Sequence, residues 1–132
     1  FALVIVNYAN GDMVGHTGDL AAAIKAAEAI DTCLGRLAAA VTEASGVLLI
    51  TADHGNAETM RNPETGQPHT AHTLNLVPLV MVNAPPWVEG LRDGRLADVA
   101  PTVLRLMELG MPAEMSGRPL IEEEGVESDA AQ

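Results

Sequence analysis

Three short apolar runs, Phe1–Val6, Val47–Ile50 and Val77–Val82, constrain the fold more than any other feature of the chain. Each is rich in Val, Ile and Leu and none alternates with polar residues, which is the pattern of strands covered on both faces. Pro78 restricts the third run, because proline is tolerated only near a strand's start or at an edge. A long helical pattern starting near Asp19 separates the first two. Its apolar residues Leu20, Ile24, Ala27, Ile30, Leu34, Leu37 and Val41 recur every three or four positions, with Lys25, Glu28, Thr32, Arg36 and Glu43 on the other face. Gly35 interrupts this pattern and predicts a kink or a close packing contact. A second helix is expected over Val99–Leu109, with Asp98 as its N-cap, Pro101 in the first turn and Gly110 beyond the end. The order strand–helix–strand–loop–strand–helix predicts an α/β fold, a mainly parallel sheet flanked by helices.

A chain of 132 residues suits one domain with a real core, built from Leu, Val, Ile, Ala and Met because Trp, Tyr and Phe occur once each. The formal net charge of −11 disfavours a nucleic-acid backbone or an anionic membrane as partner. Much of the acidic excess lies in "IEEEGVESDAAQ", so residues 122–132 are expected to form a disordered acidic tail outside the domain of residues 1–121. Cys33 is the only cysteine; it falls in an Ala-rich helical pattern and reads as a buried, inert thiol in a reducing compartment. No apolar run reaches the ~20 residues of a membrane helix, and the cytoplasm is the expected location. The chain opens in an apolar run rather than on a methionine. That start predicts a piece of a longer protein, with a sheet incomplete on its N-terminal side.

All four histidines fall just beyond the apolar runs or in one loop. His16 follows Asp12 by four residues in "NGDMVGH", after the first run; Asp53 and His54 are adjacent after the second; His69 and His72 precede the third. In an open parallel sheet, sites gather at the carboxyl ends of strands. Three connections would thus bring Asp12, His16, Asp53, His54 and one of the two later histidines to one rim. Each element alone has a plainer reading. Asp53 with His54 is an ordinary surface pair, Asp12 a turn residue beside Asn10 and Gly11, and a single loop histidine a solvated one. Their repeated placement after apolar runs favours a shared site. Carboxylate and imidazole without thiolate suit Mn²⁺ or Zn²⁺, and Mg²⁺ less well. Five such groups exceed the needs of one tetrahedral ion and fit two neighbouring sites that would clamp a phosphoryl group.

The stretches "NYANGDMVGHTGD", "ITADHGNAETM", "PHTAHTLNLVPLV" and "LADVAPTVLRLMELGMPAEMSGRPLI" resemble the cofactor-independent phosphoglycerate mutase family in its long bacterial and plant form. The similarity runs from about Phe1 to Ile121. "DxVGH", "ADHGN" and "AHT" also resemble the wider alkaline-phosphatase-like superfamily. The resemblance implies an isomerase of glycolysis and gluconeogenesis that interconverts 3-phosphoglycerate and 2-phosphoglycerate through a phosphoserine, with two manganese ions and no bisphosphoglycerate. It implies that Asp12, His16 and His72 hold one ion and that Asp53 and His54 hold the other. His72 is chosen over His69 because it occupies the "AHT" position. Asn56 and Glu58 are expected to support the ligands from behind.

The resemblance also implies what the chain lacks. The nucleophilic serine, a further aspartate and the inserted substrate-binding domain of the complete enzyme have no counterpart here. Ser45 closes the long helix, Ser116 lies in "EMSG" and Ser128 in the tail. The chain is therefore expected to be the C-terminal part of the metal-binding phosphatase domain and inactive alone, its partners being the rest of the same polypeptide and, in the parent, phosphoglycerate. A related metal-dependent phosphatase or phosphomutase is the alternative enzyme, and a noncatalytic metal-binding module the alternative of another class.

Overall fold

The computed structural model describes residues 1–123. Two compact units divide the chain, Phe1–Asn83 and a second beginning at Ala84. In the first, α1 (Asn10–Gly15) is followed by the 24-residue α2 (Leu20–Glu43), then by strands β1 (Leu48–Thr51) and β2 (Leu79–Val82). In the second, β3 (Val88–Leu91), a 3-10 turn (Leu96–Asp98), α3 (Val99–Leu106) and β4 (Ile121–Glu123) follow in order.

α2 begins where the sequence predicts. The Asp19 side chain accepts the Ala22 N–H at 3.0 Å, satisfying one of the free amides of the first turn. The helix runs through Gly35 without a break, and a Cβ at that position would meet nothing within 4 Å. The expected kink or close contact is absent. The buried positions are Ala23 and Ala26, with Ile30, Leu34, Leu37 and Val41 half-buried. Leu20 and Ile24, predicted on the apolar face, are about half exposed, at 52% and 51%. The covered face at the start of α2 has thus turned from the large residues to the alanines. α1 packs against this helix, with Gly11 lying over the Ile30 side chain.

The predicted parallel sheet is not what the described residues form. β1 pairs antiparallel with β2, Leu48 opposite Val82 and Thr51 opposite Leu79. β3 pairs antiparallel with β4 around an irregularity between Val88 and Gly90. A parallel pair needs a crossover, usually a helix, and the connection from Thr51 to Leu79 contains none. Continuous apolar runs report burial on both faces but carry no information on direction. Pro78 sits immediately before β2, where its carbonyl accepts the Thr51 hydroxyl at 2.9 Å.

Phe1–Val6 forms no strand and is exposed throughout, Ile5 at 86%. A strand needs a hydrogen-bonding neighbour and a covering layer, and the described residues offer this run neither.

The second unit departs from expectation at its edges. α3 ends at Leu106 rather than Leu109, and Glu108, not Gly110, takes the left-handed conformation that follows (φ 55°). Asp98 precedes α3 but does not cap it. Its buried carboxylate turns back to accept the Arg95 N–H at 2.7 Å and the Arg118 N–H at 2.9 Å, which holds it below the ordinary carboxylate range. Thr102, fully buried, donates to the Asp98 carbonyl at 2.7 Å and accepts the Leu120 N–H at 2.9 Å. Arg105 stacks over Trp87 at 4.5 Å and forks onto Glu123 at 2.7 and 2.8 Å. Glu122 and Glu123, assigned above to the acidic tail, are therefore strand residues, and the remainder of that tail lies outside the described residues.

Candidate metal centre

The site belongs to the first unit and is assembled from α1, the turn after β1 and the loop before β2. The spacing of four between Asp12 and His16 becomes one helical turn, so both project from the same face. The turn-forming residues Asn10 and Gly11 open this short helix rather than a loop. Asp12 Oδ1 lies 3.2 Å from His16 Nε2 and 3.0 Å from His72 Nε2, and the two imidazole nitrogens are 3.2 Å apart.

That triangle fits a divalent ion. Donors at about 2.0–2.2 Å from one ion, in neighbouring coordination positions, stand about 3.0–3.5 Å apart. The protonation pattern agrees. His16 Nδ1 donates to the Thr70 carbonyl at 2.7 Å, and a carbonyl only accepts, so the lone pair of the neutral ring lies on Nε2. His54 follows the same rule, its Nδ1 lying 3.3 Å from the Gly55 carbonyl. Asp12, His16 and His72 are 36–50% exposed, which leaves the triangle open to solvent.

The other predicted ligands are placed differently. His54 stacks on His72, with ring centres 3.7 Å apart and planes at 17°, and its Nε2 lies 3.9 Å from Asp12 Oδ1. Asp53 Oδ1 is 3.6 Å from His54 Nε2, but its side chain is 89% exposed and stands apart from the triangle. Of the two loop histidines, His72 joins the cluster and His69 does not. The His69 amide donates to the Met60 carbonyl at 3.0 Å, while its buried Nε2 has no partner among the described residues.

Asn56 and Glu58 stand behind these groups. The buried Asn56 amide donates to Asp12 Oδ1 at 2.8 Å and to the Asp12 carbonyl at 3.3 Å. That contact explains Gly15, where a Cβ would fall 2.4 Å from Asn56 Oδ1. The Asn56 hydrogen bond holds the Asp12 carboxyl below its ordinary range against partial desolvation, with help from His16, His72 and His54. Glu58 accepts the Asn56 N–H at 2.6 Å, the Thr73 hydroxyl, and the Asn75 side-chain amide at 2.8 Å. Led by the Thr73 hydroxyl, these donors pull its pKa down to about 2.

Thr70, Thr73, Asn75 and the two glycines escaped the sequence reading. A signal for the glycines was present, since Gly15 and Gly55 each adjoin a site histidine. At Gly55 a Cβ would meet Thr73 Oγ1 at 2.2 Å and Glu58 Oε1 at 2.5 Å. Thr73 falls within "AHT", but nothing local marks its hydroxyl or Asn75 as a support, because their partner lies 15 and 17 residues away.

The chain is similar to known proteins along most of its length. The chain is 62% identical over 121 residues to the 2,3-bisphosphoglycerate-independent phosphoglycerate mutase of Roseobacter denitrificans, a match covering 92% of this chain and 24% of that protein. The mutase of the same name from Rhodopirellula baltica is 61% identical over 91% of this chain and 22% of its own length. Among solved structures, a Leishmania mexicana phosphoglycerate mutase crystallised at low cobalt concentration superposes with a TM-score of 0.79. It is 37% identical, over 89% of this chain and 24% of that one. The chain thus spans about a quarter of the length of the relatives it matches. The metalloenzyme superfamily model matches residues 1–111, the stretch that carries every donor described above, and the chain belongs to that superfamily.

Proposed function

We propose that the chain is the metal-binding part of a phosphoglycerate mutase whose complete form interconverts 3-phosphoglycerate and 2-phosphoglycerate through a phosphoserine at a two-metal centre. The observation that carries this reading is the triangle of Asp12 Oδ1, His16 Nε2 and His72 Nε2, set in a chain whose relatives are mutases by name. Asp12, His16 and His72 would hold one ion, and Asp53 with His54 half of the shell of the other. Manganese is the ion proposed for the cell; a similar mutase studied at low cobalt concentration, together with the metalloenzyme superfamily match, supports dependence on a divalent ion. When bound, the ions neutralise charge on a transferring phosphoryl group and activate a hydroxyl nucleophile.

The chain's own residues prepare that chemistry. Asn56 keeps Asp12 ionised and aims its Oδ1 at the histidines. Thr70 fixes the His16 tautomer, so that Nε2 is free for an ion without loss of a proton. His72 and His54 stack, which supports neighbouring positions for the two proposed ions.

No serine lies within residues 10–16, 53–58 or 69–75, and the proposal places the nucleophile elsewhere in the complete protein. On this reading the chain alone has no mutase activity, and the rest of the polypeptide is its first partner. The exposed apolar run Phe1–Val6, together with Leu20 and Ile24, supports a sheet completed by further strands of that polypeptide. The pathway proposed is glycolysis, and the cytoplasm the proposed location. No helix among the described residues is long and apolar enough to cross a membrane.

Assay of the complete protein on 3-phosphoglycerate with Mn²⁺ tests the reading. The expected product is 2-phosphoglycerate, formed without added bisphosphoglycerate. Release of inorganic phosphate without 2-phosphoglycerate would identify a phosphatase instead.

A further inference from the structure

We propose that Glu58 is a positioning residue for the metal centre, tying the 53–58 turn to the 72–75 segment and so setting His72 against Asp12 and against His54. The proposal rests on the metal reading above.

One carboxylate gathers donors from both segments. Its Oε2 accepts the Asn56 N–H at 2.6 Å, two residues beyond His54. Its Oε1 accepts the Thr73 hydroxyl, on the residue next to His72, and the Asn75 amide at 2.8 Å. Each branch continues to a donor of the triangle. Asn56 passes on to Asp12 Oδ1 at 2.8 Å, and Thr73 is joined by the peptide bond to His72, whose Nε2 is 3.0 Å from the same Asp12 oxygen. The circuit Glu58–Asn56–Asp12–His72–Thr73–Glu58 is closed.

Backbone contacts brace it. The Thr73 N–H donates to the Gly55 carbonyl at 2.8 Å, and Gly55 has no room for a Cβ because Thr73 Oγ1 and Glu58 Oε1 occupy that space. A carboxylate serving only its own turn would bond locally; this one draws two of its donors from 15 and 17 residues away. Hydrogen bonds to an ionised acceptor are stronger than neutral ones, so a single carboxylate suffices to hold both segments.

Isothermal calorimetry of the chain with Mn²⁺, and visible spectra with Co²⁺, test the proposal on Thr73→Val, Thr73→Ser, Glu58→Gln and His72→Ala. Thr73→Val keeps the side-chain shape and removes the hydroxyl. Metal affinity should fall about tenfold or more in Thr73→Val and Glu58→Gln, the range typical of residues that orient ligands. The Co²⁺ bands should change with it. Thr73→Ser, which retains the hydroxyl, should bind within about twofold of the unaltered chain. Urea midpoints measured without metal separate loss of positioning from loss of fold. Thr73→Val and Glu58→Gln binding metal as the unaltered chain does, while His72→Ala loses it, would overturn the positioning role and leave the metal centre standing. An unaltered chain that binds neither ion, or a His72→Ala chain that binds as well, would overturn the metal reading and this proposal with it.

Discussion

Replacing Glu58 by Gln should destabilise the chain at neutral pH and leave it almost untouched in acid. The Glu58 carboxyl titrates at about 2 in the folded chain, against 4.5 for an unperturbed glutamate. A folded-state pKa below the unfolded one means that the ionised form favours folding. This contribution is fully present above pH 4.5 and is lost as pH falls toward 2. A shift of that size corresponds to at most about 3.4 kcal/mol at 1.36 kcal/mol per unit. Glu58 is exposed, and solvent screening reduces the figure to about 1–1.5 kcal/mol. Glutamine keeps an acceptor oxygen but cannot receive the Asn56 N–H and the Thr73 hydroxyl at once on two charged oxygens. The difference in unfolding free energy between the two chains should therefore be about 1–1.5 kcal/mol at pH 7. It should shrink by more than half at pH 3. Urea unfolding followed by circular dichroism, with chelator present, measures both values. A difference that is constant with pH, or larger at pH 3, would refute the linkage. So would a Glu58 carboxyl titrating near 4.5 by NMR.

Three further perturbations test other parts of the structure. Thr102→Val should cost about 1–2 kcal/mol in urea, because it strands the buried Leu120 N–H with no compensating cavity, while Thr102→Ser should keep that bond and cost under about 1.5 kcal/mol. A valine variant as stable as the unaltered chain would show that the Leu120 amide finds another partner. Gly35→Ala should raise stability by about 0.5–1 kcal/mol, since the helix is continuous there and the added methyl meets nothing; a loss in thermal midpoint would contradict this. Gly15→Ala should weaken Mn²⁺ binding by about tenfold or more in calorimetry, because its methyl would displace Asn56 from Asp12; unchanged affinity would mean that Asn56 does not aim the carboxylate.

The features legible in the sequence were those encoded over a few residues. The start of α2 near Asp19 and its unbroken helical run are local and appear as read, whereas the covered face at its start falls on Ala23 and Ala26 rather than on Leu20 and Ile24. The pairing of Asp12 with His16 is local too, a single helical turn. Even the choice of His72 over His69 followed from a three-residue motif, and His72 is the one the structure brings beside Asp12. What failed depended on partners far along the chain. Strand direction in β1 and β2 is set by a connection of more than twenty residues, not by the Val and Leu content of either run. Phe1–Val6 carries a strand's composition without a strand's neighbour. Asp98 had the right residue type for a cap, but two amides on either side of it, one of them 20 residues on, compete more effectively. β3 and β4 went unread because each is three or four residues long and mixes glutamates with apolar positions.

The distance in sequence between the donors has a consequence for how the molecule forms. His16 and His72 face one another across 56 intervening steps of chain, and Asn56 reaches Asp12 across 44. Closing a loop of 56 residues costs on the order of 3.6 kcal/mol of chain entropy before any contact repays it. α2, by contrast, propagates through contacts four residues apart and lies wholly within that loop. The expected order is that the long helix is available early and the triangle of donors closes late, once the segment carrying His72 has returned to α1. An ion that needed all three donors would on that order bind only once the long loop had closed, so its uptake would report completed folding of the first unit.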